Sequence, residues 1–374
     1  MMVRLRWSRA TALCAGLLVL ASVSLAQQRT VVHSKAILRA DGSRIEKGQI
    51  LIEAGRIVAI GADLEVPADT RVVDRSDKIL APGLVDLDSR AGAPTDLYEE
   101  TDSVDLESDA RDAFVPLHRD WDLLVAAGVT SVCLVPEGRS VIAGVGCVVK
   151  TAGPNRETAF PGPVALALTR DVINRNRPPT SFAGSQSLLR AAFSDPQPGI
   201  LAELSAKTRP ALFRVDSPAA LNAGVRLLQG AGLEAAFVCE SDVARQARES
   251  LTKDSLVVLE PIDPSSPLRE RLLPAELVAS GLKVAFHCSS PRRHPETLRC
   301  AAVLAAANGL PRSQAIQSIT STPAQALKAA GRLGDLDVGC DADFIVLDGD
   351  LLDLSAPILE TWIGGRRVYR RADG

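Results

Sequence analysis

The chain of 374 residues is long enough for two average domains or for one large barrel with an appendage. Its composition, 46% hydrophobic and 23% charged, is that of a globular protein and excludes the disordered class. A formal net charge of −3 and an aromatic content of 3% give no support to nucleic-acid binding, so no nucleic-acid partner is expected.

The first 26 residues have the pattern of a bacterial signal peptide. Three arginines precede an apolar run over residues 11–20, and small residues at 24–26 suit cleavage by signal peptidase. The run is too short to span a bilayer comfortably, although an uncleaved N-terminal anchor is the alternative. We therefore expect a periplasmic or secreted protein with no stable membrane span after cleavage.

Six cysteines follow the leader, and most of them lie within apolar runs. An oxidising compartment permits disulfides, but buried free thiols that pack as small hydrophobic groups are favoured. No Cys-x-x-Cys pair is present, so neither a zinc ribbon nor a redox dithiol is indicated. The six are Cys133, Cys147, Cys239, Cys288, Cys300 and Cys340.

Residues 27–80 are predicted to form short strands, with a hairpin over 49–61 that turns at Ala54-Gly55. From residue 81 the pattern changes to alternating strands and helices. Apolar strands begin at 211, 234, 255 and 282, a spacing that indicates parallel βαβ units. Ser217 and Pro218 are suited to cap and open the helix that ends near residue 229, and Asp242 is the expected cap of the next one.

Helices are then predicted over 274–279, 296–307, 312–319 and 323–330, and short strands return near 343–348 and 362–369. Strand-rich ends therefore flank an alternating middle of about 250 residues, the usual size of a (β/α)8 barrel.

Several segments carry a resemblance to a known family. The chain resembles metal-dependent amidohydrolases of the imidazolonepropionase-like group over almost its whole length after the leader. The resemblance is carried by residues 48–61, 73–74, 81–86, 127–132, 319–327 and 339–348.

The resemblance implies an α/β protein with a (β/α)8 TIM-like barrel and a small β-sandwich built from both chain ends. The expected domains are a signal peptide at 1–26, the first part of the sandwich at 27–80, the barrel at 81–334 and the second part of the sandwich at 335–374.

The family holds one or two divalent metals, such as zinc, at the C-terminal mouth of the barrel. Its first strand ends in the pattern Pro-Gly-x-x-Asp-x-His-x-His, whereas this chain has Asp88 and Arg90 at the two histidine positions. Arg214, Cys239 and Ser289 align with further ligand positions. Lys150 alone keeps a residue type that some relatives use as a bridging ligand.

An arginine is always cationic and cannot ligate a divalent ion. The sequence therefore predicts that the inherited metal centre is lost and that no metal cofactor is bound. The predicted function is a pseudoenzyme that binds a ligand or scaffolds a partner, with Asp88, Arg90, Lys150 and Arg214 lining the mouth. A small anionic ligand, a homo-oligomer or pairing with an active homologue are the expected partners.

The alternative is an active hydrolase of carbon–nitrogen, non-peptide bonds, acting on a cyclic amide, an amidine or a dipeptide-like substrate through an atypical site. No residue is a firm catalytic candidate. The weak candidates are Asp86, Asp88, Lys150 and the pair His287 and Cys288, although neighbours on a strand point to opposite faces. Asp88 and Arg90 can equally form a structural ion pair that plugs the mouth.

Overall fold

The structure is a computed structural model that describes residues 29–93, 97–153, 156 and 160–372. The predicted signal peptide lies outside the described residues. Among the described residues, no helix is both long and apolar enough to cross a membrane.

The described residues form eighteen strands and nine α-helices. The strands are β1 (Thr30–Leu38), β2 (Arg44–Glu46), β3 (Gln49–Glu53), β4 (Arg56–Gly61), β5 (Arg71–Pro82), β6 (Leu84–Ser89), β7 (Val104–Asp109), β8 (Val129–Leu134), β9 (Ile142–Val145), β10 (Cys147–Lys150), β11 (Val164–Leu168), β12 (Ala211–Val215), β13 (Ala236–Cys239), β14 (Leu256–Leu259), β15 (Lys283–Phe286), β16 (Phe344–Leu347), β17 (Ile358–Ile363) and β18 (Arg366–Arg370). The helices are α1 (Asp120–Ala126), α2 (Phe182–Ser194), α3 (Ile200–Ser205), α4 (Pro218–Ala231), α5 (Ser241–Ala247), α6 (Leu268–Ala279), α7 (Glu296–Ala307), α8 (Arg312–Gln317) and α9 (Ser321–Ala326).

Both chain ends contribute to one eight-stranded sheet. Its order is β18-β17-β16-β5-β1-β3-β4, and β2 pairs with β1. The predicted hairpin over 49–61 is present as the antiparallel pair β3 and β4. The predicted strand near residues 343–348 is also present, as β16, and it joins the C-terminal segment to β5 of the N-terminal segment.

The middle of the chain is a mixed α/β unit. Strands β11 to β15 are parallel neighbours in the order of the sequence, as the spacing of the apolar runs predicted. Helix α4 also matches its prediction, because the Ser217 side chain accepts a hydrogen bond from the backbone N–H of Ala220 and Gly232 ends the helix in the left-handed region.

Two helix predictions differ from the structure. Helix α5 begins at Ser241, and its capping position is Glu240 rather than the expected Asp242. Helix α6 begins six residues before Pro274, which lies inside it. The apolar pattern there is weak, so the sequence indicated only the last turns of the helix.

Residues 142–150 depart from the parallel arrangement of the later strands. They form β9 and β10, which run antiparallel to β11 and β8 respectively. The two strands break at Gly146, where an added Cβ would lie 2.6 Å from the carbonyl oxygen of Leu134. Lys150 therefore lies opposite Ser131, near the start of β8, rather than at the end where the parallel strands finish.

The parallel strands have two apolar faces, which we call the outer face and the inner face. The outer face includes Phe213 and Phe237 and packs against helices such as α4. The inner face includes Leu212, Val238 and Ala285 and forms a separate apolar cluster. Since side chains alternate along a strand, the face of each site residue follows from its neighbours.

Strand β6 lies beside the segment that follows β15. The backbone N–H of Arg90 donates to the carbonyl of Ser290 at 2.8 Å, and that of Val85 donates to the carbonyl of Ile319 at 3.0 Å. The next carbonyl toward the N-terminus, that of Ser318, accepts from Phe286 at 3.1 Å. These bonds connect the three-stranded sheet β10-β8-β6 with the carboxyl end of β15.

Candidate functional site

Three residues that the sequence analysis named come together at the carboxyl ends of the strands. Asp88 lies on β6, Arg214 on β12 and His287 directly after β15. Arg214 is two residues from Leu212 and His287 is two residues from Ala285. Because alternate side chains of a strand share a face, Arg214 and His287 lie on the same side as the inner face. We call the cluster formed by Asp88, Arg214 and His287 the mouth cluster.

Asp88 and Arg214 form an ion pair at the centre of the mouth cluster. The Oδ2 of Asp88 accepts a hydrogen bond from Nη2 of Arg214 at 2.5 Å. The Asp88 side chain is fully buried, whereas 27% of the Arg214 side chain is exposed. Burial alone would raise the pKa of Asp88, but the charges of Arg214 and Arg90 lower it well below its usual range. The carboxylate is therefore held ionised by its guanidinium neighbours.

Arg90 points to a different partner. Its Nε lies 2.5 Å from Oε1 of Glu137, and Nη2 of Arg292 donates to the same oxygen at 2.6 Å. Glu137 follows β8 and its side chain is 13% exposed. Burial lowers the pKa of Arg90, which the neighbouring Asp88 and Glu137 carboxylates oppose. The expected pair between Asp88 and Arg90 is thus replaced by a pair of Asp88 with Arg214 and a pair of Arg90 with Glu137.

His287 and Ser289 are also in contact, as Oγ of Ser289 lies 2.9 Å from Nδ1 of His287. Ser289 has a φ of 50°, a left-handed conformation that is uncommon for a serine. The Oδ2 of Asp88 lies 3.7 Å from the same Nδ1. In a serine–histidine–aspartate triad the serine and the carboxylate bind opposite nitrogens of the ring. Here both approach one nitrogen, so the arrangement is not that of a triad.

Asp86 and Cys288 form a second buried contact behind the mouth cluster. Asp86 accepts hydrogen bonds from the Cys288 backbone N–H at 3.0 Å and from its thiol at 2.8 Å. Burial raises the pKa of Asp86 to about 7, against the hydrogen bonds from Cys288, and burial also raises the pKa of the Cys288 thiol. A thiol that stays protonated is a poor nucleophile. His287 and Cys288 point to different partners, as the alternation of a strand predicted.

Two predicted mouth residues lie elsewhere. Cys239 belongs to the outer face with Phe237, and the inner position beside Arg214 is that of Val238. A slip of one residue in the alignment is enough to move a side chain to the other face of a strand. Burial raises the pKa of the Cys239 thiol to about 12. All six cysteines of the described chain are free thiols.

Lys150 takes part in a separate buried network. Its Nζ contacts the Asp343 carboxylate and lies 3.1 Å from Oδ2 of Asp341. The other oxygen of Asp341, Oδ1, accepts a hydrogen bond from Nε of Arg332 at 2.7 Å. Asp343 additionally accepts from the backbone N–H of Gly364 at 2.8 Å. This network joins β10 to the C-terminal segment and does not reach Asp88.

Sequence reasoning missed Glu137 and Arg292. No local pattern marks either residue, since both lie in loops whose position depends on distant contacts. The only signal was their place directly after buried strands, where loops of parallel α/β units gather.

The mouth cluster encloses little space. The cavity next to Arg214 measures about 10 Å³, with Leu212 and Val238 in its wall. A cavity of about 490 Å³ lies at the opposite ends of the strands, bordered by the first residues of β12, β13, β14 and β15. The larger cavity therefore shares no residue with the mouth cluster.

Comparison with known proteins identifies the relatives of this fold. A family model described as the amidohydrolase family matches residues 276–369. The predicted resemblance to the amidohydrolases is confirmed. The amidohydrolase tasK of Hapsidospora irregularis is 39% identical over 61 residues, which are 16% of this chain and 6% of that protein. The matched segment is therefore a small part of that relative's length.

Solved amidohydrolase structures share the fold over most of the chain. An amidohydrolase from Thermotoga maritima has a TM-score of 0.78 and 22% identity, with 91% of this chain and 100% of that chain covered. The β-aspartyl dipeptidase of Fervidobacterium islandicum has a TM-score of 0.57 and 14% identity, with 92% and 97% covered. A prolidase solved with N-methylphosphonate-L-proline has a TM-score of 0.57 and 17% identity, with 92% and 100% covered. At these identities the likeness shows the fold alone.

Proposed function

We propose that this protein is a metal-free member of the amidohydrolase fold that binds a ligand or a partner instead of hydrolysing a substrate. The observation that supports the proposal is the buried ion pair between Asp88 and Arg214, with Arg90 held by Glu137 nearby. We further propose that the parallel strands close into the (β/α)8 barrel of the family. The hydrogen bonds between β6 and the segment after β15 favour that closure.

The residues at the mouth do not suit a divalent metal. A catalytic zinc takes three protein ligands, usually imidazole nitrogens and carboxylate oxygens. Arg90 and Arg214 offer only N–H donors and permanent positive charge. Glu137 is already engaged by two arginines, and Asp86 by Cys288. Among the described residues, no group of three or more histidine, cysteine, aspartate or glutamate side chains is arranged to hold a metal.

One observation favours the alternative of a working hydrolase of carbon–nitrogen bonds. Oδ1 of Asp88 and Nε2 of His287 are buried and have no hydrogen-bond partner in the described chain. Two such atoms could receive a ligand, a water molecule or an ion, because buried polar groups are normally satisfied. The names of the structural relatives, which include a prolidase and a β-aspartyl dipeptidase, would then suggest dipeptide-like substrates.

Metal analysis of the purified protein separates the two functions. The protein would be purified after growth with zinc, manganese and nickel, and its metal content measured by mass spectrometry before and after chelation. We expect substoichiometric metal and an unchanged melting temperature in chelator. Asp88→Asn and His294→Ala, the latter at an exposed histidine, distinguish the mouth from adventitious surface binding. One metal per chain that is lost in Asp88→Asn, together with a chelator-sensitive dipeptidase activity, would overturn the proposal.

A further inference from the structure

The larger cavity has the character of a binding site, although it lies far from the mouth cluster. Its volume of about 490 Å³ is within the range of small-molecule sites, which is about 300–1,000 Å³. The cavity is bordered by the amino-terminal ends of β12 to β15 and by residues of α3, α4 and α9. None of the residues that line the cavity belongs to the mouth cluster.

The inner wall of this cavity is apolar. It is lined by buried side chains from α3, α4, β13 and the segment between α4 and β13. These include Leu204, Val225, Leu228, Leu233 and Phe237, with exposed fractions between 2% and 8%. Such a wall favours an apolar part of a ligand, because burial of apolar area is worth about 25 cal/mol per Å².

The rim of the cavity is cationic. Five basic residues and two acidic residues border it, although the whole chain has a net charge of −3. The basic residues are Lys207, Arg209, Lys253, Lys283 and Lys328, and the acidic residues are Glu234 and Asp254. A local excess of positive charge at the opening of a low-dielectric cleft attracts anions.

Two of these cations are not engaged by a carboxylate. Lys207 pairs with Glu234 at 2.7 Å, and Arg209 donates to Glu203 at 2.6 Å. Lys253 and Lys328 have no ion pair within 4 Å among the described residues. The stem of Lys253 lies against Gly281, whose added Cβ would be 3.4 Å from the lysine Cγ. Lys253 therefore borders the opening as an exposed lysine with no counter-ion among the described residues.

We propose that the cavity binds a small organic anion that has an apolar body and a single carboxylate or phosphate group. The apolar body would lie against the wall of α3, α4 and β13, and the charged group would lie between Lys253 and Lys328. Lysine ammonium groups act as point charges and accept either anion without a fixed geometry. The proposal stands independently of the metal content of the mouth, since the two sites share no residue.

Octanoate is a suitable probe, with octan-1-ol as the uncharged analogue and inorganic phosphate as the anion without an apolar body. Isothermal titration calorimetry with the whole purified protein should show one octanoate per chain and weaker binding of both analogues. The variant Lys253→Gln/Lys328→Gln should bind octanoate about tenfold more weakly, which corresponds to about 1.4 kcal/mol. Lys35→Gln, an exposed lysine on β1, is the matched control and should leave the affinity unchanged.

A second variant tests the cavity wall. Ala326→Leu places a larger side chain at the lining of the cavity and should abolish octanoate binding without changing the melting temperature greatly. Absence of octanoate binding by the wild-type protein at millimolar concentration would overturn the proposal. Equal affinities of the wild-type protein and the double lysine variant would overturn it as well, because the rim would then contribute no charge recognition.

Discussion

Replacing Arg214 with methionine tests the central feature of the mouth cluster. Methionine keeps most of the apolar stem and removes the charge, so Asp88 would remain buried without its nearest guanidinium. Breaking a buried pair in this way costs about 3–5 kcal/mol. Because 27% of the Arg214 side chain is exposed, water can reach part of the site, and we expect a loss somewhat below that range, about 2–3 kcal/mol.

The loss should depend on pH in a defined direction. In the wild-type protein the pKa of Asp88 is lowered, so its stabilisation is complete above the unfolded value of about 4 and is lost as pH falls through the folded pKa. In Arg214→Met the guanidinium charge that opposes the effect of burial is removed, so the pKa of Asp88 should rise above its value in the unfolded chain. The variant then becomes less stable as pH rises between those two values. The difference between the two proteins should therefore be larger at pH 8 than at pH 5.

Urea unfolding followed by circular dichroism at both pH values measures these differences. Arg293→Met is the matched control, since Arg293 pairs with Glu260 at 2.9 Å and both side chains are more than 40% exposed. Exposed pairs contribute less than about 1 kcal/mol. If Arg214→Met were as stable as wild type at pH 8, or lost the same free energy at both pH values, the reasoning about a buried carboxylate would be wrong.

Two further predictions concern the other buried carboxylates. The pKa of Asp86 is about 7 in the folded protein, so the wild-type protein should lose stability as pH rises from about 4 to 7, and Asp86→Asn should remove this loss. If the free energy of unfolding changed with pH in the same way in both proteins, this prediction would be refuted. Lys150→Met should lower the free energy of unfolding by about 3 kcal/mol or more by leaving Asp343 and Asp341 without their lysine, and it should leave the metal content unchanged; a stable variant that had lost bound metal would instead place Lys150 in a metal site.

Much of the fold could be predicted because local signals agreed with the global arrangement. The hairpin of β3 and β4 has its turn at Ala54-Gly55, both of which have positive φ. Helix α4 has a serine cap, an initial proline and a terminal glycine in the left-handed region. Each of these signals acts over a few residues, so no knowledge of the rest of the chain was needed.

The candidate site was only partly predictable, and for geometric reasons. The structure brings together Asp88 and Arg214, two of the residues predicted to line the mouth, because both sit near the carboxyl ends of their strands. The predicted place of Lys150 at the mouth was wrong because β10 runs antiparallel to β8, and the pattern of apolar residues does not reveal the direction of a strand. The predicted place of Cys239 at the mouth was wrong because a shift of one residue in the alignment puts a side chain on the opposite face of its strand. Neither direction nor register is determined by local composition.

The basic residues at the two ends of the parallel strands differ in whether they are already paired with carboxylates. At the mouth, Arg90 and Arg292 share Glu137 and Arg214 holds Asp88, so an incoming anion would have to displace a carboxylate that the protein already supplies. The exchange of one anion for another yields little net free energy, and the space there measures about 10 Å³.

At the opposite end, Lys253 and Lys328 border a cavity of about 490 Å³ and require no such exchange. An anion that enters this cavity gains the attraction of both lysines and also buries apolar surface against Leu228 and Phe237. We therefore expect anion recognition at Lys253 and Lys328, which have no ion pair among the described residues. The arginines of the mouth, which already hold carboxylates, are expected to contribute to stability instead. The calorimetric and unfolding experiments measure these two roles separately.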